Sequence, residues 1–311
     1  MNSVGEMHQH SPFPSVNNPV ISPRPGQIAV RDCALFNDRG VIHCFYTGVW
    51  WHGSDMVTHL EHRCTLDLHE WTEPEMIGLP TLWSPGNVIK VGNRYCMVCQ
   101  HQPVTMPNGD NPKGKMRHDC RLWLMWSDDL AHWSYPRIVM PSGCEAKWSP
   151  DSRRQIDGCL VEHDGRFWIL CKQGNSSTGR MGLLVSDDFE HWETVETDGP
   201  VIGPHNTDDP GGLENPCIVK DGEEYVCFFP RYTKPAALLR SRDLINWYGL
   251  TELKIPMQSW MLSRPNAPAV IDTRELNGKW LMAFFSSNPS VVMSAHIGLA
   301  WSDDLIHWET N

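Results

Sequence analysis

No stretch of this chain is rich in Lys and Arg, and none approaches the ~18 uninterrupted apolar residues of a membrane-spanning helix. With 26 basic against 37 acidic residues and a net charge of −11, a nucleic-acid backbone or an anionic membrane would be repelled. The N-terminus MNSVGEMHQHSPFPSVNNPV lacks both a basic n-region and an apolar h-region, so the chain reads as cytoplasmic unless an export signal has been removed. Nothing has the period of a long amphipathic helix. Paired CxxC knuckles are absent as well. The 11 cysteines are odd in number, and most (Cys44, Cys96, Cys99, Cys159, Cys171, Cys217, Cys227) lie inside apolar runs, which predicts reduced core residues. Cys96 and Cys99 do make one CxxC, but YCMVC reads as a strand, where positions three apart point to opposite faces; no metal site is expected there.

What the chain does contain is a repeat. SDDLAHW at Ser127–Trp133 returns as SDDFEHW at Ser186–Trp192 and SDDLIHW at Ser302–Trp308, with weaker copies SRDLINW at Ser241 and TLDLHEW at Thr65. The Asp before Leu or Phe falls at 67, 129, 188, 243 and 304, spaced by 55 to 62 residues. Its Ser, Asp and His resemble a hydrolytic inventory, but a group needed once has no reason to recur in every unit. The heptad is therefore expected to be a turn, its Asp accepting backbone N–H bonds and its Trp packing against a neighbouring unit.

Within each period, runs rich in Val, Ile, Phe, Tyr and Trp alternate with turn pairs such as Asp164-Gly165, Asp221-Gly222 and Asn277-Gly278. The first two runs of each unit form a hairpin, as in ALFNDRGVIHCFYT and CLVEHDGRFWILCK, and a third precedes the heptad, as in RLWLMW. Five such antiparallel units predict an all-β, five-bladed β-propeller around a central channel, spanning residues 21–311 as one domain. Residues 21–30 are expected to help close the ring, leaving 1–20 as a tail.

If shared features are scaffold, function belongs where equivalent positions differ. Eight residues before the hairpin glycines Gly40, Gly165 and Gly222 stand Asp32, Asp157 and Glu214. The same count from Gly92 reaches Ser84, and the fifth blade offers SRPNAP at Ser263–Pro268, without an acid. In a propeller these positions face the channel mouth, so the three carboxylates should cluster and at least one should retain its proton near neutral pH. A protonated acid beside an ionised base is what glycosidic cleavage requires. The blander reading has each acid capping its strand or pairing with Arg31, Arg153 or Arg154.

VRDCALF, QIDGCLV and GLENPCIV, with nearly the whole chain around them, resemble the five-bladed propeller glycoside hydrolases of family 43 and its relatives, families 32 and 117. The resemblance implies that Asp32 is a general base or nucleophile, Asp157 tunes the acid, and Glu214 is that acid. It also implies an inverting, exo-acting hydrolase of plant or algal-type oligosaccharides that requires no cofactor, with room for a structural cation on the axis. Cys33 stands where these families usually have Pro, and Asn215 where Gly often follows the acid. A family 130-type glycoside phosphorylase, or a non-catalytic carbohydrate-binding propeller, are the alternatives; the first needs cations for phosphate, and Arg153-Arg154 is the one adjacent pair near an acid.

Sugars need flat apolar surfaces and hydroxyl partners. Trp50 and Trp51, followed by His52, are candidate stacking surfaces on the rim, and Trp83 and Trp148 have similar claims, against inter-blade packing as the commoner fate of Trp. His205, in the loop GPHNTDDPGGLENP, is a candidate substrate contact, alternative acid or ligand of a central ion. Arg231 and Arg264 are candidates to bind hydroxyls or lower an acid's pKa, against a role in surface ion pairs.

Overall fold

Most strands are apolar on both faces because each blade is packed between two others. The computed structural model describes residues 16–52, 55–101, 106–107, 120–149, 153–174, 179–210, 212–288 and 294–310, with backbone only at 52, 55–56 and 106–107. The first blade is β1 (Gln27–Asp38), β2 (Val41–His52), β3 (Asp55–Thr65) and β4 (Glu75–Ile77); the second is β5 (Leu82–Val91), β6 (Arg94–His101), β8 (Arg121–Ser127) and β9 (Arg137–Ile138). Between them β7 (Met106–Pro107) leaves the second blade to pair with the tip of β3. The third blade is β10 (Gln155–His163), β11 (Arg166–Gln173), β12 (Arg180–Ser186) and β13 (Glu193–Thr194). The fourth is β14 (Cys217–Asp221), β15 (Glu224–Phe229), β16 (Ala237–Ser241) and β17 (Tyr248–Glu252), and the fifth β18 (Asn266–Asp272), β19 (Trp280–Ser287) and β20 (Ala295–Ser302). Two single-turn helices, α1 (Pro204–Thr207) and α2 (Arg274–Asn277), complete the elements. The fold is the five-bladed propeller expected from the repeat.

The core is divided into five apolar seams, one between each pair of neighbouring blades. On β6, for example, Cys96 and Val98 enter the seam with the third blade, while Met97 and Cys99 enter the seam with the first. Alternate side chains of one strand thus serve two seams, and the CxxC cysteines do point to opposite faces.

The heptads are turns at the end of each third strand. In the second blade Asp129 Oδ1 accepts from the N–H groups of Ala131 and His132, Ser127 Oγ accepts from Leu130 N–H, and the Trp133 indole donates to Leu130 O. The residue after the Asp is left-handed in all five copies: Leu68, Leu130, Phe189, Leu244 and Leu305, with φ between 63° and 68°. Each Trp packs into the seam with the preceding blade, as Trp308 does edge-on to Phe228.

Ring closure comes earlier in the chain than expected. Val20 and Ile21 N–H donate to Ile297 O, Ile297 N–H donates to Ile21 O, and the Asn18 side chain bonds both ways with the Leu299 backbone. Val16 and Ile21 are buried in the seam of the first and fifth blades. Residues 16–20, assigned above to a tail, therefore supply the outer edge of the three-stranded fifth blade, and β1 begins only at Gln27; residues 1–15 lie outside the described residues.

Candidate active site

Each innermost strand is interrupted, or in the fourth blade preceded, by a residue with left-handed backbone: Asp32 (φ 47°), Ser84 (40°), Asp157 (53°), Asn215 (46°) and Ala267 (46°). In four blades the break is a register shift against the second strand. Such bulges re-aim side chains, and a non-glycine residue held there costs about 1–3 kcal/mol. They ring an axial cavity of about 20 Å³, room for about one water. A Cβ on Gly86 would stand 1.6 Å from Gly158 O, so only glycine lets the second and third blades approach this closely.

The shared register holds for Asp32 and Asp157 but misses by one residue at Glu214. Glycine is the second turn residue in Arg39-Gly40 and Asp164-Gly165 but the first in Gly92-Asn93 and Gly222-Glu223. Counting back from Gly222 therefore overshoots, and the bulge residue of the fourth blade is Asn215. The second blade has the same turn but a longer bulge, Ser84 to Gly86, so there the count does land on the left-handed residue.

Asp32 is buried, and its Oδ2 accepts from the Trp83 indole at 2.8 Å and from Arg31 Nε at 3.1 Å, while the Asn215 amide reaches Oδ1 at 3.4 Å. Burial raises its pKa; Arg31 opposes this and the charge of Glu214 adds to it. Asp157 is buried too, its backbone N–H donating to Gln100 Oε1 at 2.8 Å; the same Gln100 amide donates to Ser84 Oγ at 3.3 Å. Burial, then the charge of Glu214, pushes Asp157 up to about 7 against the pull of Lys172.

Glu214 Oε2 accepts from the Tyr232 hydroxyl at 2.6 Å and lies 3.3 Å from Lys172 Nζ. Burial alone would raise this acid, but Lys172, the Tyr232 bond and Arg31 together hold it below the usual glutamate range. The three acids act on one another, as their spacing in the sequence implied. Burial and charge thus favour the protonated form at Asp157 and the ionised form at Glu214. Two interacting carboxylates lose their protons in steps that belong to the pair, so the pair keeps one proton to about neutral pH.

No protein-family model matches the chain, and no curated protein matches it in sequence. Its fold matches many solved structures. One is a putative glycoside hydrolase from Parabacteroides distasonis, with a TM-score of 0.67 and 13% identity, covering 96% of this chain and 98% of that one. The α-L-arabinofuranosidase PaAbf62A from Podospora anserina, in complex with cellotriose, gives 0.64 and 11%, covering 91% and 94%. A third, from work on the GH130 family of mannoside phosphorylases and its hydrolases of β-1,2 mannosidic linkages in Candida mannan, gives 0.65 and 14%, covering 97% and 96%. These neighbours are five-bladed propeller glycoside hydrolases. At such identities the likeness is one of fold.

The other expected site residues are scattered. Trp83 does join the acids, but as a buried donor to Asp32 and not as an open stacking face. Trp50 is packed: its indole donates to the buried Glu61 at 3.0 Å and Arg24 lies over its ring. Trp51, on the opposite face of β2, is 46% exposed and remains an open surface. Trp148 lies against Gly182 of β12, and Trp260 lies likewise against Gly298 of β20, so this contact is scaffold repeated in two blades.

His205, in α1, lines a depression on the outer edge of the fourth blade with Pro200, Trp247 and Tyr248, away from the axial acids. Arg231 points outward: its guanidinium bonds Glu252 of β17 at 2.7 Å and the carbonyls of Pro235 and Thr207. Arg264 is exposed and donates to Thr233 O at 3.3 Å across the join between the fourth and fifth blades.

Lys172, Tyr232 and Gln100, none of them singled out from sequence, stand among the acids instead. Lys172 had a readable signal: a Lys ending the apolar run RFWILCKQ is conspicuous, because lysine is almost never fully buried without a partner. Among the described residues no group of three or more His, Cys, Asp or Glu could hold a metal ion, and no helix is long and apolar enough to cross a membrane.

Proposed function

We propose that this chain is a glycoside hydrolase whose chemistry is carried by Asp32, Asp157 and Glu214. The observation that supports it is the convergence of two buried carboxylates, Asp32 and Asp157, and the half-buried Glu214, from the first, third and fourth blades, into one group in which burial and the charge of Glu214 raise Asp157 to about 7. Hydrolysis needs such a division of labour between an acid and a base. Asp32, fixed by Trp83 and Arg31, takes the proton of the attacking water. Glu214, the more open member of the proton-sharing pair at 22% side-chain exposure, gives its proton to the glycosidic oxygen as the bond to the anomeric carbon breaks. Water adds to that carbon, the leaving sugar departs as an alcohol, and exchange with solvent resets both acids. Asp157 keeps the pair's proton available. The inverting, exo-acting course belongs to the same proposal, with arabinosides, galactosides and mannosides as first substrates because structural neighbours act on such linkages.

Phosphorolysis, with phosphate replacing water, is favoured by one observation: the buried Arg154, together with Lys172, acts on Asp157 as a cation beside the acids. Assay of a nitrophenyl-glycoside and oligosaccharide panel with and without phosphate separates the two, and the anomer first released, followed by NMR, reports inversion. Glu214→Gln is expected to lower turnover of natural glycosides by about 10²–10⁴-fold, with much of the loss recovered on dinitrophenyl glycosides, whose leaving group needs no acid. Full activity of that variant on a natural glycoside would overturn the assignment.

A further inference from the structure

Lys172 is 1% exposed and sits in β11 directly opposite Ile156, the residue before the Asp157 bulge. Its Nζ lies 2.8 Å from the Tyr232 hydroxyl oxygen and 3.3 Å from Glu214 Oε2, and 5.2 Å from the Tyr232 ring centre. The Tyr232 hydroxyl in turn donates to Oε2 at 2.6 Å. Two donors thus grip one oxygen of the carboxylate. Among the described residues Oε1 receives no hydrogen bond, which leaves it as the oxygen available to a ligand.

Tyr232 is itself held from both sides. Arg231 is anchored to Glu252, Thr207 and Pro235, while Thr233 N–H and Oγ donate to the buried Asp209 at 3.0 and 2.8 Å. Its own N–H donates to Gly212 O, and its ring lies so close over Gly212, a left-handed residue (φ +107°), that a Cβ there would meet it at 3.1 Å. Despite this clamping Tyr232 is 45% exposed. A rigid, open aromatic ring beside an acid offers a surface that loses little freedom on binding.

We infer that, in the hydrolase proposed above, Lys172 and Tyr232 are positioning residues for the acid Glu214, and that the open Tyr232 ring is the platform for the sugar on the leaving-group side. The chemistry sets the side: the free oxygen of Glu214 addresses the glycosidic oxygen, and the group beyond that oxygen is the one that leaves. The inference rests on the glycosidase reading, and its test separates the two.

Lys172→Met, Tyr232→Phe and Tyr232→Ala are compared with the native protein on an oligosaccharide and on the matching glycosyl fluoride, which carries no leaving sugar. Both donors favour the ionised acid, so removing either should move the alkaline limb of the kcat/KM profile to higher pH. Tyr232→Phe should lower kcat about 10-fold with little change in KM. Tyr232→Ala should in addition raise KM about 5-fold for the oligosaccharide and not for the fluoride. An unmoved alkaline limb in Lys172→Met and Tyr232→Phe, or an equal KM rise on both substrates, overturns the inference. If Lys172→Met does not fold, the Tyr232 variants on their exposed loop carry the test. If the native protein hydrolyses neither substrate the glycosidase reading fails, whereas the positioning role is then read from the ¹³C carboxyl titration of Glu214: an upward move in Tyr232→Phe supports it and no move overturns it.

Discussion

Asp157 is the residue for which position and charge conflict most. An acid raised toward 7 by burial and by Glu214 is ionised at lower pH in the unfolded chain than in the folded one. Below about pH 4, where both states are protonated, it costs nothing; the penalty grows between there and pH 7 and is fully present above. Asp157→Asn should therefore melt about 5 °C higher than the native protein at pH 8 and equally at pH 4, while losing most of its activity. Calorimetry at the two pH values checks this, and equal melting temperatures at pH 8 would count against the raised acid. Trp83, a candidate stacking face by its place in the sequence, is instead a buried donor to Asp32. Trp beside a channel position is readable from the chain, but its indole N–H points at Asp32 only because the bulge turns both inward.

At the scale of the element, the heptad shows how a turn can mimic an active site. Partial burial would raise Asp304, but the His307 ring and the N–H groups of His307 and Ile306 hold its carboxyl well below the usual range. A depressed acid contributes stability that is present above the unfolded value of about 4 and is lost as pH falls through the folded one. Asp304→Ala should cost about 1 kcal/mol at pH 7, in line with lost caps at exposed sites, and less below pH 4. Denaturant melts at both pH values measure it, with activity retained because the turn lies at the far end of the blade. The hairpin turns teach a related lesson. Their glycines were a sound ruler for Asp32 and Asp157, yet a one-place change of glycine within the Asp221–Glu224 turn displaced the count at Glu214, since a turn tolerates glycine at either central position.

For the whole molecule, closure is the step that ties distant residues together. The fifth blade has three strands, and residues 18–21 complete its edge through Ile297 and Leu299. That seam also holds Arg31, whose guanidinium lies 4.7 Å from the Phe285 ring while its Nε bonds Asp32. Ile21→Ala, at a site 1% exposed, should cost about 2–4 kcal/mol and lower activity at assay temperatures near its reduced melting point. Thermal melts followed in parallel with residual activity test the link; an unchanged melting temperature would show that the seam closes without it.

The repeat of 55–62 residues, the strands apolar on both faces and the hairpin turns determined the propeller from sequence alone, because blade periodicity is a local pattern written five times. That Asp32, Asp157 and Glu214 come together was legible for the same reason, because they are exceptions to a repeated rule. Only the tertiary structure decided which way other side chains point: Arg231 outward to Glu252, His205 to the perimeter, Trp50 inward to Glu61, and Lys172 and Tyr232 onto the acid. It also decided that Asn215, not Glu214, takes the bulge, and that residues 16–21 close the ring. These outcomes depend on contacts between segments far apart in the chain, where direction is set by packing between blades and no local spacing encodes it.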